Sequence, residues 1–172
     1  LVRNMGLSST AAAMTVSAAT GALALCVVPA SILSERFGRG RILLISAVAA
    51  TGVGLIVPLA QEGWQLIVVR GLQGALLSGA PATAMAWLSE ELDDKALPRA
   101  MGLYIAGTSV GGLTGRLIPT GLVEISTWRW ALFGSALVSL AFAITSWLLL
   151  PTQRNFRPKS IHLKTESRAL FG

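Results

Sequence analysis

The sequence predicts an all-α integral membrane protein, and three observations carry that expectation. Of 172 residues, 53% are hydrophobic and 13% are charged, whereas a soluble domain carries about a quarter charged residues. Five apolar segments follow one another with short polar connections, at about 11–33, 42–60, 66–88, 101–123 and 130–150. Each is near the roughly 20 residues that cross a bilayer as a helix. The runs are too long and alternate too little for barrel strands, and in lipid a helix satisfies its own backbone.

Composition also narrows the function classes. The formal net charge is +6, but the basic residues cluster between apolar runs. They do not interleave with aromatics on a polar face, so no nucleic-acid partner is expected. The one cysteine, Cys26, lies in an apolar run, and the one histidine, His162, lies in the polar tail. That leaves no metal-ligand spacing, and no cofactor is expected. A membrane-embedded enzyme would need acid/base or metal-binding residues gathered at one depth, and no such cluster is visible. The chain opens on Leu1-Val-Arg-Asn and closes on Arg168-Ala-Leu-Phe-Gly172 without a start or stop signal. A fragment of a longer protein is therefore expected.

Taken in order, the first segment leads into Ser31-Ile-Leu-Ser-Glu35-Arg36-Phe-Gly38-Arg39-Gly-Arg41. Read alone, this is either a topology signal with a glycine turn or a functional charged loop. The second segment ends before Trp64, an interfacial aromatic anchor by position, as are Trp128 and Trp130. The third contains Arg70, followed by Gln73 and Gly74. An arginine inside a spanning segment costs a few kcal/mol even on lenient scales, so it normally faces water or a partner. The other reading is a side chain snorkelling to the interface from near the segment's start. Glu90, Glu91, Asp93 and Asp94 follow, as a solvated run or as partners of the arginine loop. The fourth segment carries Gly102, Gly107, Gly111, Gly112 and Gly115, then a second intramembrane charge, Arg116. Glycines at these spacings suit close helix packing. The fifth segment gives way at Pro151 to a basic tail, 151–172, expected as the start of a cytoplasmic linker.

Basic residues set the orientation. Arg36, Arg39 and Arg41, then Lys95 and Arg99, then Arg154, Arg157, Lys159, Lys164 and Arg168 all fall on one side. The opposite side has Arg3 and Arg129. The basic side is expected to be cytoplasmic, in a multi-pass inner-membrane protein.

The loop Glu35-Arg36-Phe-Gly38-Arg39 resembles the signature of the major facilitator superfamily, Gly-x-x-x-Asp-Arg-x-Gly-Arg-(Arg/Lys). Ser31 stands at the first glycine and Glu35 at the aspartate, while Arg41 falls one place late. Arg70-Gly-Leu-Gln73-Gly74 resembles the family's fourth-helix motif, Arg-x-x-Gln-Gly. Gly107 to Arg116 partly resembles the fifth-helix antiporter motif, Gly-x-x-x-Gly-Pro-x-x-Gly-Gly, with Gly112 for the proline and Arg116 for the last glycine. Leu88-Ser-Glu90-Glu91, Met101 to Gly107 and Leu150 to Phe156 are similar to a bacterial drug/metabolite:proton antiporter-like exporter subgroup.

The resemblance implies helices 2 to 6 of a twelve-helix transporter, lacking helix 1 and the second half. Its partners would be the lipid bilayer, those missing parts, a small-molecule substrate and protons. It implies a substrate or proton pathway at Arg70, Gln73 and Arg116, and a conformational latch at Glu35, Arg36, Gly38, Arg39, Arg41, Glu90 and Glu91. It also implies helix packing at Gly74, Gly107, Gly111, Gly112 and Gly115. The function implied is proton-coupled efflux by alternating access. The alternatives are an uptake carrier of the same superfamily, or a small structural or assembly protein of the membrane.

The charge asymmetry predicts that Gly63 is accessible from the periplasm, and that Arg36 and the tail near Arg157 are not. Single-cysteine labelling of intact cells with an impermeant reagent checks this. Strong external labelling at position 36, with none at 63, would reverse the topology.

Overall fold

The structure, a computed structural model, describes residues 9–125 and 127–150. Six helices follow in order: α1 (Ser9–Phe37), α2 (Arg39–Gly54), α3 (Gly63–Leu77), α4 (Gly79–Glu91), α5 (Leu97–Ile125) and α6 (Trp128–Leu149). A 3-10 turn, Val57–Leu59, separates α2 from α3. No strand occurs among the described residues. The tail expected as a linker lies outside them.

Three helical stretches are long and apolar enough to cross a membrane by themselves: Ala13–Phe37, Arg39–Leu59 and Trp128–Leu149. The segment expected to run unbroken over 66–88 is instead divided at Ser78 into α3 and α4, of 15 and 13 residues. Pro81 explains the break, because it has no N–H to offer the Leu77 carbonyl one turn earlier. Ser78 keeps helical angles (φ −55°, ψ −31°), so the interruption is local. Its hydroxyl donates to the Ala75 carbonyl at 2.7 Å. The fourth segment also differs from expectation. As α5 it starts at Leu97, with Pro98 in the first turn, where a missing N–H costs nothing.

Gly38 makes the turn from α1 to α2. Its φ is 101° and its ψ 131°, a region that a side chain rarely enters. One residue therefore reverses the chain, and Arg39 begins the next helix. At the other end, Gln65 Oε1 accepts from the backbone N–H groups of Gln61 and Glu62 and starts α3.

α1 packs most extensively on α3, while α2 contacts α3, α4 and α6. Two glycines allow the closest approaches. A Cβ on Gly74 would overlap the Ala19 carbonyl of α1, and a Cβ on Gly79 would overlap the Ser46 hydroxyl of α2. α5 is the least enclosed helix and rests chiefly on α6. Leu103 there is 75% exposed, and Leu148 on α6 is 78% exposed. Apolar side chains this open suit lipid rather than water.

The bundle is closed at two ends. At one, Val57, Ala60 and Leu66 are buried and pack with Val69 and Leu132. Arg129 joins the start of α6 to this end: its Nη2 donates to the Ala60 carbonyl at 3.5 Å, and its guanidinium lies 5.2 Å from the Trp128 ring. At the other, Ile42 is buried, and Gly40 leaves room for the Trp87 indole.

Gly74→Ala should lower stability by about 1–3 kcal/mol, since the overlap is with backbone that cannot rotate aside. Gly111→Ala should leave the unfolding midpoint unchanged or raise it. A Cβ there meets nothing within 4 Å among the described residues, and alanine favours the helix. Thermal unfolding in detergent compares the two, and equal losses would contradict the packing described.

Candidate transport cavity and charged latch

A cavity of about 920 Å³ lies between α2, α3, α5 and α6. Helical periodicity places its wall. On α3 the spacing Arg70, Gln73, Leu77 keeps three side chains on one face. On α5 the same rule brings Gly107, Gly111, Thr114, Gly115 and Ile118 into line. α2 contributes Ala50, Thr51 and Gly54, and α6 contributes Leu132, Ser135, Ala136, Ser139 and Phe142.

Arg70 is half-buried and is the only charged side chain on this wall among the described residues. Its Nη1 donates to Gln73 Oε1 at 3.2 Å. Gln73 Nε2 donates in turn to the Ala50 carbonyl of α2 at 3.2 Å. The amide orientation is thereby set, with nitrogen toward α2 and oxygen toward Arg70. Gly54 gives the amide its room, because a Cβ there would stand 3.0 Å from Gln73 Nε2.

The wall's hydroxyls are already occupied as donors. Thr51 donates to Ala47 at 2.8 Å, Thr114 to Val110 at 2.9 Å, Ser135 to Ala131 at 2.7 Å and Ser139 to Ser135 at 2.9 Å. All four acceptors are carbonyls of the same helix. The donors left to a ligand are those of Arg70 and the second amide N–H of Gln73.

Arg116, expected in the same pathway, is exposed and is not on the cavity wall. It follows Gly115 by one residue and so points about 100° away around the helix. The glycines expected to pack divide into two groups. Gly74 meets α1, whereas a Cβ on Gly107, Gly111, Gly112 or Gly115 would meet nothing within 4 Å among the described residues. Gly107, Gly111 and Gly115 line the cavity instead.

The charged loop forms a second site at the Gly38 end. Arg39 Nε donates to Glu90 Oε1 at 2.5 Å, and its Nη2 lies 3.6 Å from Glu35 Oε1. Arg39 is 14% exposed, and its two carboxylates about a third. The arginine that begins α2 thus binds the end of α1 to the end of α4. Arg36 is exposed, with its guanidinium 5.5 Å from the Phe37 ring, and Arg41 is exposed. Glu91 is half-buried beside Glu90 in sequence.

Sequence reasoning did not reach Gly54, Thr51, Ser135, Ser139 or Phe142. Gly54 sits among small residues of the second segment with nothing to mark it. The serines of α6 recur at four-residue spacing (135 and 139), the one available sign of a polar stripe.

The sequence profile of the Major Facilitator Superfamily matches residues 1–171. An uncharacterized MFS-type transporter, YybF, of Bacillus subtilis (strain 168) is 34% identical over 170 residues, covering 99% of this chain and 42% of the relative. The inner membrane transport protein YnfM of Escherichia coli (strain K12) is 33% identical over 165 residues, covering 96% of this chain and 40% of the relative. A multidrug resistance protein, MdtG, of Proteus mirabilis (strain HI4320) is 33% identical over 129 residues, covering 74% of this chain and 31% of the relative. The chain thus spans about two-fifths of the length of the first curated relatives it matches. It belongs to the Major Facilitator Superfamily, a family of transporters rather than enzymes.

Proposed function

We propose that this chain forms part of a proton-coupled exporter that moves a small molecule by alternating access. The observation that carries the reading is the pairing of two sites in one bundle: a cavity with a single guanidinium, and a charged clasp at one end. In transporters of this kind, two helical bundles rock around a central site. Arg70 and Gln73 serve the substrate or proton pathway. Arg39, held by Glu35 and Glu90, is the latch that favours one conformation, with Arg36, Arg41 and Glu91 contributing charge around it. Arg116, off the wall, faces segments of the transporter beyond this chain. Those segments complete the cavity and supply the second bundle.

The asymmetry of the basic loops supports a latch on the cytoplasmic side of the inner membrane, with Gly63 outside. The tail after Pro151 then leads from one bundle to the other in the cytoplasm. Efflux is supported by the partial antiporter motif on α5 and by a relative named for multidrug resistance. Direction and coupling are tested together in inverted vesicles that hold an acid lumen, using a pH-sensitive dye and a panel of drugs and aromatic acids. An exporter releases protons when a substrate is added. Substrate-dependent transport without proton release on that side would point to uptake or to uncoupled movement.

The latch is tested in the intact transporter. Arg39→Glu should lower the transport rate by roughly 2- to 30-fold, because the two partly exposed pairs it breaks are worth about 0.2–1 kcal/mol each. Adding Glu90→Arg should restore part of the loss. Independent, additive losses would reduce the loop to a topology signal.

A further inference from the structure

We infer that the cavity is built for a small organic anion, and that Arg70 receives its carboxylate. The inference deepens the transport reading and rests on it for the cavity's role. Its physical basis is the balance of donors and charges on the wall.

Arg70 has five N–H donors in a planar fork. One is used by Gln73, and among the described residues the others have no partner. Among the described residues no carboxylate lines the cavity, so the guanidinium has no counter-charge on this part of the wall. The four wall hydroxyls donate to their own helices. A ligand rich in donors, or carrying a cation, finds only their lone pairs and meets repulsion from Arg70. A ligand with a planar pair of acceptor oxygens finds a matching fork. Gln73, fixed by the Ala50 carbonyl, holds one edge of that fork and leaves the rest free. Beyond the fork the wall is apolar, with Leu77, Val110, Ile118, Leu132 and Phe142. The ligand that fits is a monocarboxylate with an aliphatic or aromatic body.

The test is binding by the purified intact transporter in detergent, read as a ligand-induced thermal shift. The probes are benzoate, cyclohexanecarboxylate and octanoate, each against its neutral amide, with sodium chloride at equal ionic strength. The expected result is at least about tenfold tighter binding of the acids than of the amides, the worth of hydrogen bonds to a charged group. Arg70→Gln should remove the preference. Arg70→Lys, which keeps the charge without the fork, should weaken it, and this decides the matter if Arg70→Gln fails to fold.

Four results would overturn the inference: no shift by any acid in the wild type, equal shifts by acids and amides, a preference that survives Arg70→Gln, or an Arg70-dependent shift given equally by chloride. The reading as a transporter fails separately. Arg70-dependent binding without movement of the acid into proteoliposomes would keep the site and refute the transport role.

Discussion

A guanidinium inside an apolar helix bundle must have water or acceptors around it, and much of this structure follows from meeting that requirement for Arg70. Gln73, one turn on, supplies one acceptor and is itself held by a carbonyl of α2. The amide reaches the α2 backbone with room left by Gly54, where a Cβ would stand 3.0 Å from Gln73 Nε2. α5 turns a face of glycines and short side chains toward the same space, and α6 adds hydroxyls that are already satisfied. The space that remains is the cavity. Filling it with larger apolar residues would improve packing but would strand the charge in a low-dielectric interior.

The two ends of the bundle are built from different chemistry. The Ala60 end is an apolar cluster, with Arg129 and Trp128 pinning the start of α6 against it. Such contacts change only by repacking. The Gly38 end adds ion pairs to its packing around Ile42 and Trp87. Arg39 joins α1 and α4, and both its carboxylates reach solvent. Ion pairs of this exposure are weak individually and respond to ionic strength. The break at Ser78 separates α3, which carries the cavity residues, from α4, which carries Glu90. The two sites thus lie on either side of the same local interruption.

How much of this could be read in the sequence depended on whether the signal was local. Apolar length marked the membrane-spanning character, and Gly38 beside Arg39 marked the turn. Arg70 stood out because nothing near it in sequence explains a charge. Pro81 is a local sign of the α3–α4 division, but it lies within a long apolar run that reads as one span. Which arginine of the loop meets which carboxylate was not legible, since Arg36 and Arg39 differ by a rotation that only the folded turn fixes. The glycines were equally ambiguous. Gly74 and Gly111 look alike in a helical pattern, yet one touches the α1 backbone and the other faces the cavity. Gly54 had no sequence signature, because its value lies in the space it leaves for a side chain on another helix.

Arg70 is the one charge on the cavity wall among the described residues, and its field should make the interior positive to a water-borne probe. Ala136 reports on it directly: it lines the cavity, and its Cβ lies 3.6 Å from where a Gly54 side chain would begin. In the intact transporter, on a Cys26→Ala background, Ala136→Cys can be reacted with anionic and cationic methanethiosulfonates of similar size. The rates are expressed relative to a free thiol. The anionic reagent should be favoured, and Arg70→Gln should abolish the preference. No charge preference, or one that persists without Arg70, would contradict this.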